Sequence, residues 1–224
     1  MRSAWAVALV GVLVQPTSTR AQPPTAPQVP DAHALPTTVP LFPLQDVVLF
    51  PNMSRPLHIF EPRYREMVSD AVQGDGYVGM VLLRPGYASL YEGNPPIFQI
   101  GCAGEITQAE ELSDGRWIIV LRGTTRFRVL SEDHSRSYRV GEVEPIEERH
   151  DAAALAALET LRLALTDVFA DLAPGAGPRP ADLSDEDLVN GLAQFLDLEP
   201  VDRQVLLEAV GPLERAQALL EMVP

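Results

Sequence analysis

The chain has 224 residues, 46% of them hydrophobic and 21% charged, and 31 acidic against 17 basic residues set its net charge at −14. Such a composition excludes a disordered chain and is enough for one substantial core or two smaller packed units. An acidic body repels phosphate backbones, which argues against general binding of nucleic acid or anionic membranes.

Residues 1–21 stand apart. Arg2 is followed by an apolar run over Trp5–Val14 and a polar stretch ending at Ala21. The run is shorter than the roughly 20 residues a membrane span needs, so a cleavable export signal cut near Ala21 is expected. No stable membrane insertion is expected after cleavage, and the mature protein should be periplasmic or secreted. Residues 22–38 are rich in proline and form an expected extended tether, with the folded body starting near Val39. Cys102 is the only cysteine. No internal disulfide is therefore available, and a cysteine within an apolar strand reads as a small buried side chain.

From Leu41 to Met67 two apolar runs, Leu41–Leu44 and Val47–Phe50, have strand length, and Pro51-Asn52 marks a turn. Pro56–Phe60 resumes an extended segment. Pro62 then suits the first position of a helix, with Glu61 placing negative charge at its positive end. Strands are expected over Tyr77–Arg84, Phe98–Gln108, Arg116–Leu121, Thr125–Leu130 and Tyr138–Pro145. Ser113-Asp114-Gly115 has the composition of a tight hairpin turn. Alternation in Thr125–Leu130 puts Phe127 and Val129 on one face and Arg126 and Arg128 on the other. Many short strands with one early helix suggest a small closed or nearly closed sheet.

Leucines and valines recur at three- and four-residue spacing from Leu155 to Leu172, so a helix over Ala152–Asp171 capped by Asp151 is expected. Ser184 caps the next helix, which has acids in its first turn and a Leu183/Leu188 staple. Two further helices, Val201–Ala209 and Pro212–Met222, are divided by Gly211-Pro212. Residues 151–224 carry a net charge of −10.

The order and spacing of PLFPLQDVVLFP (Pro40–Pro51), PLHIFEPRYREM (Pro56–Met67), GYVGMVLL (Gly76–Leu83), IGCAGEI (Ile100–Ile106), DGRW (Asp114–Trp117) and RGTTRFRV (Arg122–Val129) resemble the N-terminal substrate-binding domain of Lon-type ATP-dependent proteases. The resemblance is to the version found as a stand-alone protein and within cereblon. It implies an α+β fold: a PUA-like β pseudo-barrel over residues 39–148, followed by a small helical bundle over 149–224. It stops before the ATPase and peptidase parts of those proteases.

With no lysine in the chain, neither a Walker A loop nor a Ser-Lys peptidase dyad can be built. His33, His58, His134 and His150 are the only candidate bases for a serine triad, and none sits in a nucleophile-elbow or HExxH context. No metal-ligand spacing occurs. The chain is therefore expected to be non-catalytic, without cofactor or metal, and to bind polypeptide, either unfolded segments or one native partner in the cell envelope.

Candidate substrate-binding residues are Phe60, Glu61, Arg63 and Tyr64 from the first motif region, and Arg122, Arg126, Phe127 and Arg128 from the last. Arg116, Arg122, Arg126, Arg128, Arg136 and Arg139 concentrate guanidinium groups on strands, where they could recognise carboxylates or phosphates bidentately. The competing reading makes them a solvated face or pairs them with the acidic helices. Glu61 and Pro62 likewise have local reasons to stand at a strand-to-helix junction.

Overall fold

A computed structural model describes residues 35–87, 93–148, 151–172 and 182–223; the expected export signal and nearly all of the tether lie outside them. The elements in chain order are β1 (Thr38–Leu44), β2 (Ser54–Ile59), α1 (Pro62–Gln73), β3 (Tyr77–Leu82), β4 (Ile100–Glu111), β5 (Trp117–Asp133), β6 (Arg139–Pro145), α2 (Ala152–Leu172), α3 (Asp185–Phe195), α4 (Pro200–Glu208) and α5 (Pro212–Met222). The fold is α+β. The strands form one mixed sheet in the order β2-β5-β4-β3-β1-β6, parallel only between β1 and β3, and β5 pairs a second time with β6. The sheet thus curls back onto its longest strand without becoming a regular closed barrel.

Local signals act where expected. Gly115, at φ 78°, completes the turn between β4 and β5, and Pro62 opens α1. The Asp151 carboxylate accepts from the Ala154 N–H at 2.9 Å, and the Ser184 hydroxyl accepts from the Asp187 N–H at 3.0 Å. The helices start and stop within a residue or two of the positions expected from periodicity.

Two expectations are corrected. Arg116–Leu121 and Thr125–Leu130 belong to a single 17-residue strand, β5. It contains a bulge: Cys102 faces Arg126 while Gly104 faces Gly123, so two residues of β5 oppose one of β4. The bulge brings Arg126 onto the same face as Ile119 and Leu121. Arg126 and Arg128 still share one face, opposite Phe127 and Val129, and it is the end of α4 that buries Arg126 while Arg128 is exposed. Val47–Phe50 is not a strand. Its buried residues fill the core as an irregular segment, and the chain at Phe50 and Pro51 turns its backbone groups to α3 instead of to a ladder. The Phe50 N–H donates to Gln194 Oε1 at 3.1 Å, and Asn190 Nδ2 donates to the Pro51 carbonyl at 3.1 Å. The following turn has Asn52 at φ 64° and closes with Met53 N–H to Phe50 O at 3.2 Å. Gly123 lies directly against this turn, and a Cβ there would stand 2.1 Å from the Phe50 carbonyl oxygen.

The core is continuous from sheet to helices. One cluster joins Met80, Cys102, Ile119 and Leu121 of the sheet and Met67 of α1 to Leu188, Leu192, Leu206 and Leu219 of the later helices. A second, around Phe127, Leu41 and Val129, fills the inside of the curl.

Between sheet and helices lies a buried polar junction. Arg126, 2% exposed, donates to the carbonyl oxygens of Leu207 (2.6 Å) and Val210 (3.2 Å) and also to that of Ala209. These are carbonyls at and beyond the C-terminal end of α4, where a positive charge is favoured. Glu148 Oε1 lies 2.6 Å from Arg126 Nε and 2.8 Å from Arg215 Nη2. Arg215 also donates to the Leu206 carbonyl at 3.0 Å and to Asn190 Oδ1. Burial pushes the Arg126 guanidinium below its ordinary pKa, and the Glu148 carboxylate opposes that shift.

Removing one member of a buried charge network typically costs about 3–5 kcal/mol, because the remaining charges lose their partners. Arg126→Met should therefore lower unfolding stability by about that amount in urea titrations followed by Trp117 fluorescence. Arg128→Met, two residues further along the same face and exposed, should stay within about 0.5 kcal/mol; similar losses for both would remove the junction's special role. Burial also pushes the Cys102 thiol up to about 12. Native protein at pH 8 should leave Ellman's reagent unreacted until denaturant is added, and prompt native reaction would mean that the core opens locally.

Candidate functional site

The eight candidate residues from the sequence fall into three groups that do not converge on one site. Arg126 and Phe127 are buried, Arg126 in the polar junction and Phe127 inside the curl. Neither side chain is available to a ligand on the surface of this conformation. Arg128 is exposed and pairs in register with Glu144 on β6.

Arg63 and Tyr64 form the second group. Glu61 stands at the N-cap of α1 and its carboxylate holds Arg63 at 2.9–3.0 Å, while the Arg63 guanidinium lies 4.7 Å above the Tyr64 ring. Tyr64 is itself buried against Phe42, with ring centroids 4.6 Å apart. Arg63 and Tyr64 border a pocket of about 270 Å³ whose other walls come from Pro43 of β1, Leu83 and residues 93–95 between β3 and β4, and the loop leading into β6.

Phe60 and Arg122 share the third place, the outer face of β2 and the beginning of β5. Ser54, Pro56 and His58 pair in register with Arg122, Val120 and Ile118, so all six side chains leave the same side of the sheet. Phe60 continues the row from β2, its ring centroid 6.1 Å from that of His58. Phe60 is 61% exposed and Ile118 45% exposed. Glu105 lies opposite Arg122 on β4. Among the described residues β2 pairs with β5 alone, so its other side is a sheet edge. The Ser54 carbonyl is already occupied, accepting from Gln194 Nε2 at 3.2 Å. Pro56 has no N–H to offer, as befits an edge strand.

Ile118 escaped the sequence reading because Trp117–Leu121 is an unbroken apolar run, which hides which residues face water. The register with His58 is the information that exposes it. Arg136 and Arg139 were marked by the concentration of arginines, and the pocket beside Arg63 contains both. Among the described residues no group of histidine, cysteine and carboxylates has the arrangement of a metal site. No described helix is long and apolar enough to cross a membrane.

The chain is similar to known Lon proteases and to solved Lon N-terminal domains. The chain is 28% identical over 200 residues to Lon protease 2 of Syntrophobacter fumaroxidans, covering 85% of this chain and 24% of the protease. It is 25% identical over 202 residues to the Lon protease of Elusimicrobium minutum, covering 87% and 24%. The chain thus spans about a quarter of the length of these relatives. A crystal structure of a Lon N-terminal domain protein from Xanthomonas campestris superposes with a TM-score of 0.57 at 27% identity, covering 84% of this chain and 99% of that one. The N-terminal domain of a Mycobacterium avium complex Lon protease has the same fold, with a TM-score of 0.64 at 19% identity over 82% of this chain and 96% of its own. The family model of the ATP-dependent protease La (LON) substrate-binding domain matches residues 38–224, from the first strand through the last helix, and the chain belongs to that family.

Proposed function

We propose that the chain is a non-catalytic polypeptide-binding module that holds extended or unfolded segments along the outer face and free edge of β2. The observation that carries this reading is the pair of exposed apolar side chains, Phe60 and Ile118, beside an unpaired strand edge. An added strand gains main-chain hydrogen bonds from an edge and specificity from alternate side chains. Here those side chains would meet Phe60, His58 and Ile118, with Arg122 at the far end of the row. Pro56 removes one main-chain donor, which favours short, reversible pairing over stacking of many chains. Membership of a substrate-binding family supports the reading, as does a sequence without lysine for ATP hydrolysis through a Walker A loop. An exported location in the cell envelope is part of the proposal and rests on residues 1–21.

A second reading, docking of one native envelope partner on the acidic helices, draws on α2. Its outward side carries Leu163, 80% exposed, and Leu155.

Fluorescence anisotropy of a labelled, reduced and carboxymethylated polypeptide, titrated with the full chain and no nucleotide, separates the two. Saturable binding of the unfolded form, with its folded counterpart ignored, is expected. Burying one large apolar side chain is worth about 1.5–3 kcal/mol, so Phe60→Ser or Ile118→Ser should weaken binding by about tenfold or more. Thermal stability should hardly change. No saturable binding of the unfolded form would favour the second reading.

A further inference from the structure

The pocket beside α1 has a lining at odds with the rest of the molecule. Arg63, His134, Arg136 and Arg139 line it together with Tyr64 and Tyr138. Among the described residues no aspartate or glutamate belongs to the lining, although the chain holds 31 acidic residues. The partners of the three guanidiniums stand outside the wall and hold it in place. Glu61 grips Arg63 at 2.9 Å, Asp70 grips Arg136 at 2.6 Å, and Glu132 grips Arg139 at 3.0 Å. Arg139 is fixed further by donating to the Pro95 carbonyl at 2.7 Å. Arg136 donates to Asp70 and to the Tyr138 hydroxyl through Nη1 alone, so its Nε and Nη2 make no hydrogen bond among the described residues. The loop that carries it is ordered by Asp133, which accepts from the Ser135 N–H and hydroxyl at 2.8 and 2.9 Å. Those bonds hold the Asp133 carboxyl below its ordinary range.

We infer that this pocket is a carboxylate-binding site, taking the terminal carboxylate of a polypeptide or of a small organic acid. Guanidinium forks match planar carboxylates, and Arg136 retains the two adjacent donors such a match uses. Glu61, Asp70 and Glu132 balance the charge of the three arginines, so the pocket offers oriented donors with little net positive charge. A monoanion suits it better than a doubly charged phosphate. Pro43, Leu83 and Pro95 add an apolar wall for the carbon skeleton next to the carboxylate. At about 270 Å³ the space lies below the range of drug-sized sites and fits one terminal residue or a small acid.

The polypeptide source rests on the binding function proposed above; the carboxylate chemistry does not. Isothermal titration calorimetry on the full chain would compare N-acetyl-alanyl-leucine as the free acid, its C-terminal amide, and succinate. The free acid should bind saturably and the amide at least tenfold more weakly. Arg136→Gln, at an exposed side chain, should abolish that difference without moving the melting temperature. Succinate binding as tightly as the peptide acid, and lost in the same variant, would support the site with a free acid as its source. Equal binding of acid and amide, no binding of any probe, or acid binding unchanged by Arg136→Gln would overturn it. A long unfolded polypeptide with an amidated end isolates the other reading, because it would still bind along β2 if only the pocket fails.

Discussion

Two guanidiniums sharing one buried carboxylate decide how this molecule is put together. Arg126 comes from the sheet, Glu148 follows the last strand and Arg215 comes from the last helix. Taken alone the trio leaves one positive charge in the interior, which is costly. The carbonyls of Leu206, Leu207, Ala209 and Val210 at the end of α4 supply the missing negative partial charge. The helix end needs donors and the arginines need acceptors, so each side of the junction is unfavourable without the other. This mutual requirement fixes where the helices sit on the sheet more sharply than apolar packing does, since apolar contact is not directional.

The preference for arginine follows from the same need. Arg126 reaches three carbonyls and a carboxylate at once, and Arg203 reaches the Leu196 carbonyl at 2.9 Å across the turn before α4. A lysine ammonium has no rigid fork for this. With the helices held by α3, α4 and α5 against the curl of the sheet, β2 is left at the margin, packed by its inner side chains and bare along its outer row. The exposed row is thus a consequence of how the core is satisfied elsewhere. It also explains why exposed apolar side chains persist there in a protein whose surface is otherwise strongly acidic.

Much of the fold was legible because its signals are local. Pro62, Asp151, Ser184 and Gly211-Pro212 each mark a helix start by the chemistry of a few neighbouring atoms, and Gly115 marks the hairpin. The ordered motifs from Pro40 to Val129 also pointed to the correct family. What could not be read depends on residues far apart in the chain. Val47–Phe50 has the composition of a strand, and only the amides of Asn190 and Gln194, about 140 positions later, explain why it stays irregular. Arg126 alternates with Phe127 like any exposed residue, and only the end of α4, more than 80 positions later, covers its face. Arg63 and Arg122 were marked together, and the structure separates them into a pocket wall and an open sheet face.

Polypeptide held along β2 should shield the backbone amides there. Amide hydrogen exchange followed by mass spectrometry, with and without a saturating unfolded polypeptide, tests this most directly. Added protection is expected to be confined to residues 54–60 and 117–122, with α2 unchanged. Protection confined to α2, or absent throughout while polypeptide is bound, would contradict it.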